Sequence, residues 1–533
     1  MAFRTTGVSF DKLVPNATHA AVIREAVERV HRCTLLATEL LNLYVRDRLQ
    51  NQDGSGLQDI CNSNWLLNAY NEVTHGKKKT KIVPELHATR EAHMPTFTSV
   101  DRAGIKQILL YECRNLAAVA ATNIWMHFRR RLLSHVRRVF ALPDADFKTL
   151  SHDQKRTRRL RLMKIADDLA RPSSEAMRSP SEEDKTWVTV ERDRLGIDTA
   201  VADWDGKPLE YHMKAKPQCF LRAMHLMTAE READGRAAFA LFPLRRTLVP
   251  RHIRFDQKAL RDLLKLGASE HAITKRDSAK RRKTETGHVD LEPQQQKRSR
   301  TRRPKEEMVD EKAQAFGEVL DLHAAKLRQR DRFNWAFTTD GVCVRLQCTV
   351  PKGKNAPTQG EMPKRGRFAI DELKHQSRAE LSDLHVVGID PGKRELVVAV
   401  DQDDPKNSPV VRYTQAQRQR DMRSRQYRCE HQHSVSADVH LAESQLSDFN
   451  SRSADLETFK DYCTQRRATV DACLSHYTHL DYRRRRWKTY IKTQQSEERL
   501  YTRLGGIHKE GDPRTLVLAY GSWGAVAGRP GMV

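Results

Sequence analysis

Long apolar runs are missing from this chain. Crossing a bilayer as a helix takes about 20 consecutive apolar residues, and the stretch from Leu116 to Ala121 is typical of the longest available. No membrane partner is expected. The amino-terminal Met1-Ala2-Phe3-Arg4-Thr5-Thr6-Gly7 also lacks the apolar core of an export signal. Cysteine is sparse and odd in number, nine in 533 residues, which excludes a disulfide scaffold and fits a reducing compartment. Acidic residues are in deficit, with 69 Asp and Glu against 94 Lys and Arg and a formal net charge of +25. An excess of that size favours a polyanionic partner, because each neutralised phosphate releases condensed counterions. Nucleic acid is the expected partner, with a merely solvated basic surface as the alternative.

The length suits about three domains of roughly 100 to 200 residues each. In the first long segment Ile23, Val27, Val30, Ala37, Leu41 and Tyr44 recur on one helical face. A second helical stretch, residues 102–142, carries Arg129, Arg130, Arg131, Arg137 and Arg138 beside an apolar face. These are either phosphate contacts or a solvated surface. Residues 151–217 turn polar and give no clear element. Residues 239–250 mix apolar and polar side chains between prolines, which suggests strand or extended chain, and residues 256–266 suggest a short helix. Residues 267–310 lose nearly all large apolar side chains, so the segment cannot offset its own ordering entropy and is expected to be disordered. Within it, Lys275-Arg276 and Lys280-Arg281-Arg282-Lys283 are basic clusters of the kind a nuclear import receptor grips, and a nuclear location follows. Beyond it, Asp340-Gly341 between two apolar runs predicts a hairpin spanning residues 333–350.

The run from His385 to Asp401 reads as strand, acidic turn and strand. A third strand is expected near Val410 to Tyr413, then a long charged helical region and a strand at Thr515 to Tyr520. This order fits the start of an RNase H-like core, where a carboxylate leaving the first strand helps hold two divalent cations. Asp390 takes that position. Both flanking strands look like buried central strands, where a carboxylate is costly without a cation or donor. Asp-Pro-Gly is also a favoured turn whatever the function, and actin-like ATPases begin with a similar turn, although Lys393-Arg394-Glu395 offers no hydroxyl. Glu395 and Asp401 lie nearby, Asp401 at the far end of its strand. The helix around residues 482–492 puts Leu480, Trp487 and Ile491 on one face and Arg485, Lys488 and Lys492 on another, with Arg483 and Arg486 beside them. Such a helix suits phosphate contacts without base reading; a surface helix with snorkelling stems is the alternative. Cys429, His431 and His433 match no common zinc spacing, and Cys343 and Cys348 fall on opposite faces of one strand. All five are expected to be structural, and zinc is not expected.

Several of these stretches together resemble Fanzor proteins, eukaryotic relatives of the TnpB proteins and of type V CRISPR effectors. They are Gly388 through Asp390, Gly392 and Glu395 to Val400, Val411-Arg412-Tyr413-Thr414, Trp487 to Lys492, and Ala519-Tyr520-Gly521-Ser522-Trp523-Gly524. Phe242 to Arg245, Val249 to Asp256 and Thr339 to Val342 add to the likeness. The resemblance is patchy before residue 239 and nearly continuous after 382. It implies a transposon-derived, RNA-guided DNA endonuclease with magnesium as cofactor and a guide RNA and target DNA as partners. The implied architecture is multidomain α+β: a mainly helical recognition lobe (1–238), wedge-type strands and a short helix (239–266), a basic insertion (267–311), a wedge-type hairpin region (312–381) and an incomplete RuvC-like α/β domain (382–533). Asp390 matches the first catalytic acid. Gly521 and Ser522 stand where bacterial relatives place the second. The remaining acids and the zinc module are not found, so the expectation is a C-terminally truncated nuclease, or a noncatalytic remnant that binds nucleic acid.

Overall fold

The apolar stripe of the first long segment forms helix Ala17–Asn51, and all six residues expected on its inner face are buried. In this computed structural model the residues described are 2–51, 54, 56–75, 83–171, 176–197, 209–266, 312–327, 331–350, 382–401, 403–405, 408, 410–508 and 512–520. The basic clusters at 275–283 lie outside them. The protein is mixed α and β, and no helix among the described residues is long and apolar enough to cross a membrane.

The chain divides into two units. The first comprises Phe3–Thr349 and Ala437–Thr478, the second Val350–Ser436 and His479–Val533 with Met1–Ala2. Residues 437–478, which the sequence leaves undivided from the rest of 382–533, therefore belong to the first unit. That unit is built on Ala17–Asn51 and Lys106–Val139, whose inner faces share one apolar core. The polar stretch at 151–217 is more regular than its composition suggests, containing helices His152–Leu169 and Glu182–Leu195. Each begins at a serine whose hydroxyl accepts an amide proton three residues on, from Gln154 and Asp184. At the first, the Gln154 side chain also caps the Ser151 amide, so both orphan donors are satisfied.

Strands β1 (Ala2–Ser9), β4 (Ile253–Asp256), β5 (Arg332–Thr339) and β6 (Cys343–Val350) form a sheet in the order β1-β6-β5-β4. The short β2 (Thr74–His75) and β3 (Val100–Asp101) pair separately. β1 was not anticipated in a segment whose pattern is helical. The expected hairpin is present, with β5 and β6 antiparallel. Asp340 Oδ1 accepts the Val342 and Cys343 amides at 3.0 Å each, and Gly341 turns with φ of 86°. Residues 239–250 form no strand and are irregular, with bends at 241–242 and 249; prolines at 243 and 250 cannot donate to a ladder.

In the second unit β7 (Leu384–Asp390), β8 (Glu395–Asp401), β9 (Val411–Thr414) and β10 (Thr515–Tyr520) form a sheet ordered β10-β7-β8-β9. β7, β8 and β9 are successively antiparallel, while β10 returns parallel to β7. Helix Leu480–Gly505 lies on one face, where Leu500 and Leu504 pack with Val387, Ile389, Ala399, Val411 and Tyr413. Ser496, on the same helix, bonds the Tyr413 hydroxyl at 2.8 Å and donates to Asp421 at 2.7 Å.

Charge is buried in the first unit as well as displayed. His135 on Lys106–Val139 sits 2.7 Å from Glu191 and 3.2 Å from Glu230, and Arg194 bridges both carboxylates. Burial opposes the imidazolium, but Glu191 and Glu230 outweigh it and raise the His135 pKa. Burial likewise opposes the Glu191 carboxylate, yet Arg194 and His135 hold it down to about 2. A raised histidine pKa contributes stability that is complete below its unfolded value and disappears as pH rises through the folded one. The expected result is a stability of the wild-type chain that falls as pH rises from the ordinary histidine value of about 6.5 through the raised folded one, and a flatter profile in His135→Gln. Urea unfolding across that range reads this out, and an equal slope in both proteins would refute it.

Candidate functional site

β7 carries chemistry at both ends. His385, Val387 and Ile389 are buried while Gly388 and Asp390 are exposed. The strand is thus covered on one face, rather than on both as its apolar run suggests. Asp390 leaves the sheet at the start of the turn Asp390-Pro391-Gly392, and its carboxylate has no hydrogen bond or ion pair among the described residues. Gly392 is dictated by space: a Cβ there would lie 2.7 Å from the Glu395 carbonyl oxygen. The parallel register of β10 ends at Tyr520 opposite Ile389, one residue short of Asp390. Gly521 and Ser522 lie outside the described residues. Glu395 is exposed at the start of β8, opposite Thr414, and Asp401 is at that strand's other end. Among the described residues, Asp390 belongs to no group of three metal-ligating side chains. A two-metal centre needs several oxygen ligands, so these residues do not fit magnesium, and no step through a metal follows from them.

The clustered ligands are at the opposite end of β7, about 16 Å away for five residues of strand. His385 Nε2 is 3.0 Å from Asp401 Oδ1 and its Nδ1 is 2.8 Å from His508 Nδ1. Asp512 Oδ2 lies 3.9 Å from His385 Nδ1. Asp401 accepts the Asp403 amide at 3.0 Å and the Ser408 hydroxyl at 3.3 Å. Burial opposes its charge, but the Asp403 amide and then His385 hold its carboxyl below the ordinary value. Arg514 forks onto both Asp512 oxygens and reaches Asp403 at 2.6 Å. Its guanidinium holds the Asp512 carboxyl well below the usual range. Sequence reading passed over His385, His508 and Asp512. The available signal was histidine at alternate ends of strand and helix, which spacing alone does not connect.

The basic helix Leu480–Gly505 is present. Leu480, Trp487 and Ile491 are half-buried, and Arg486 and Lys488 are exposed, with no ion pair among the described residues. Arg485 donates to Ser434 at 3.1 Å and Lys492 is half-buried. Arg483 is buried at 2% exposure, and so is withdrawn from the expected contact surface. Arg484, not singled out in advance, stands one and two turns before Lys488 and Lys492, in a row of cations spaced by four. The Trp487 and Tyr490 rings stack at 5.4 Å and 18°, with Tyr490 46% exposed.

On Lys106–Val139, Arg129, Arg130 and Arg137 are exposed, whereas Arg131 turns inward to the Ala240 carbonyl and Arg138 pairs with Glu230 and Asp234. A cavity of about 450 Å³ in the first unit is lined by Arg32, Glu39, Phe97, Arg466, Arg467 and Asp471. Four of its charges pair with one another, Arg467 with Glu39 and Arg32 with Asp471, while Arg466 donates to the Arg245 carbonyl. Cys429, His431 and His433 share helix Ser424–Ser434. His433 Nδ1 bonds the Cys429 carbonyl at 2.7 Å, and the three form no ligand group.

No family model matches this chain, and no curated protein matches it. The turn after β7 supplies a direct test of the local geometry. Gly392→Ala is expected to cost about 1–3 kcal/mol, while Gly388→Ala, whose methyl meets nothing closer than 3.9 Å, should change stability by less than about 0.5 kcal/mol. Denaturant midpoints of the two variants compare them, and equal losses would contradict the close approach at Gly392.

Proposed function

We propose that this chain is a nucleic-acid-binding protein, related by descent to RNA-guided nucleases of the Fanzor kind, that grips a phosphate backbone with helix Leu480–Gly505. The observation that carries the reading is the row Arg484, Lys488 and Lys492, with the exposed Arg486 and the stacked Trp487–Tyr490 pair, on a helix anchored to the sheet by Leu500, Leu504 and Ser496. Like charges at four-residue spacing destabilise an isolated helix slightly, and phosphates would relieve that repulsion. Aromatic rings beside cations suit stacking on an unpaired base. Arg129, Arg130 and Arg137 extend the basic surface of the first unit. In this proposal a guide RNA and a target DNA are the partners, and import to the nucleus through residues 275–283 belongs to the same reading.

A second reading, magnesium-dependent cleavage, is favoured by one feature. Three antiparallel strands followed by a parallel fourth beside the first is the strand order of an RNase H-like core, and Asp390 stands at the exit of the first strand. The described residues add no second ligand there, so binding is the reading preferred. Both are tested on one preparation. Fluorescence anisotropy with a labelled RNA–DNA duplex should show affinity falling steeply with salt. The double variant Arg486→Glu, Lys488→Glu should weaken binding and reduce the log–log salt slope by about 0.9 for each phosphate no longer neutralised. Affinity indifferent to salt, or unchanged in the variant, sinks the binding proposal. Cutting of the same duplex with added magnesium, abolished by Asp390→Ala, would instead favour the nuclease.

A further inference from the structure

We propose that His385, His508 and Asp512 form a binding site for a divalent transition ion, with zinc the test case. The site is built from three separate places: the start of β7, the segment just after helix Leu480–Gly505, and the residues leading into β10. Two imidazole nitrogens and a carboxylate are a donor set suited to zinc and its neighbours rather than to magnesium. The spacing suits it as well. Zinc–ligand bonds of about 2.0–2.1 Å in a tetrahedron place neighbouring ligand atoms about 3.3 Å apart. His385 Nδ1 lies 2.8 Å from His508 Nδ1 and 3.9 Å from Asp512 Oδ2, values that straddle this figure. All three ligand atoms fall within 4.8 Å of one another.

The surroundings are those of a metal-ligating histidine. His385 is 2% exposed, and its other nitrogen, Nε2, is directed at the Asp401 carboxylate. That carboxylate is itself fixed by the Asp403 amide and the Ser408 hydroxyl. Donation from Nε2–H to a carboxylate leaves Nδ1 as a lone pair and raises its basicity, which is how ligating imidazoles are oriented. Charge also balances. Two positive charges on the ion and one on Arg514 meet the three carboxylates of Asp401, Asp403 and Asp512. Asp512 Oδ2 accepts from Arg514 Nη2 at 2.7 Å and from Nε at 3.2 Å, the latter shared with Oδ1 at 3.0 Å; an ion on Oδ2 would leave Nε to Oδ1, and a water would complete four-coordination. Such an ion would clip the loop that brings the chain from the helix back to β10 onto the start of β7. The ion-free alternative is a hydrogen bond from His508 Nδ1–H to His385 Nδ1.

The experiment is titration of the chelator-stripped full chain with zinc, in competition with a chromophoric chelator, and with cobalt(II) as spectroscopic probe. One equivalent should bind, cobalt should give the visible absorption of a tetrahedral site, and zinc should raise the melting temperature. His508→Gln and Asp512→Asn should each abolish the tetrahedral spectrum. Both positions are only partly buried, so either variant carries the test alone if the other misfolds. Asp401→Asn should weaken binding by about 10- to 100-fold as an outer-shell change. Asp390→Asn and Cys429→Ser should leave binding intact. Absence of stoichiometric zinc binding, binding indifferent to both ligand variants, or binding lost in Cys429→Ser would overturn the proposal. None of these readings depends on nucleic-acid binding or cleavage.

Discussion

β7 is hydrogen-bonded along both edges, antiparallel to β8 and parallel to β10, and each candidate chemical group of the second unit is placed by that arrangement. The two pairings fix its register and therefore its facing, because a slip of one residue would exchange the buried and exposed sets. With Val387 and Ile389 inward, Asp390 must face outward at one end while His385 is held inward at the other. The same sheet supplies the floor on which helix Leu480–Gly505 rests. Burial of a leucine such as Leu500 or Leu504 contributes about 1.5–3 kcal/mol, enough that a few such contacts determine which side of the helix is left for solvent.

The two units use positive charge differently. In the first, many arginines act internally: Arg46 is fully enclosed, donating to the Ser453 and Asn42 carbonyls and stacking over Phe459, and Arg194 and Arg138 pair with the buried Glu191 and the half-buried Glu230. In the second, Arg484, Arg486 and Lys488 remain at the surface. A net charge of +25 is therefore an imperfect guide to how much cationic surface is offered to a polyanion, since part of it is consumed in holding helices together. The planar guanidinium is well matched to that internal role, because its five donors can satisfy several carbonyls from one position.

Where one physical signal dominated, the sequence was readable. The stripe from Ile23 to Tyr44, the Asp340-Gly341 hairpin and the strands of the second unit all follow from local periodicity or turn chemistry, and all are present. Helices His152–Leu169 and Glu182–Leu195 escaped because their apolar faces are narrow; their serine caps at 151 and 181 were the better evidence. β1 escaped because its partner, β6, is far away in the chain and the short Ala2–Ser9 run, with Gly7 inside it, shows no apolar–polar alternation. Burial of Arg483, inward facing of Arg131 and the meeting of His385, His508 and Asp512 are tertiary facts that no window of neighbouring residues contains. The Fanzor resemblance lay mostly in the β7–β10 strands that were legible, with further stretches at 242–256, 339–342 and 487–492.

The return of β10 to β7 also sets a schedule. Between β9 and β10 the described residues form five helices, two of which belong to the other unit. At ordinary rates of synthesis that interval is on the order of ten seconds, far longer than the microseconds in which a hairpin such as β7–β8 closes. Throughout it one edge of β7 presents unpaired amides and carbonyls beside apolar side chains. A newly made chain thus passes through a period in which an intruding strand from a neighbouring ribosome's product could take the place reserved for residues 515–520, and the cell's folding machinery has most to guard in that interval.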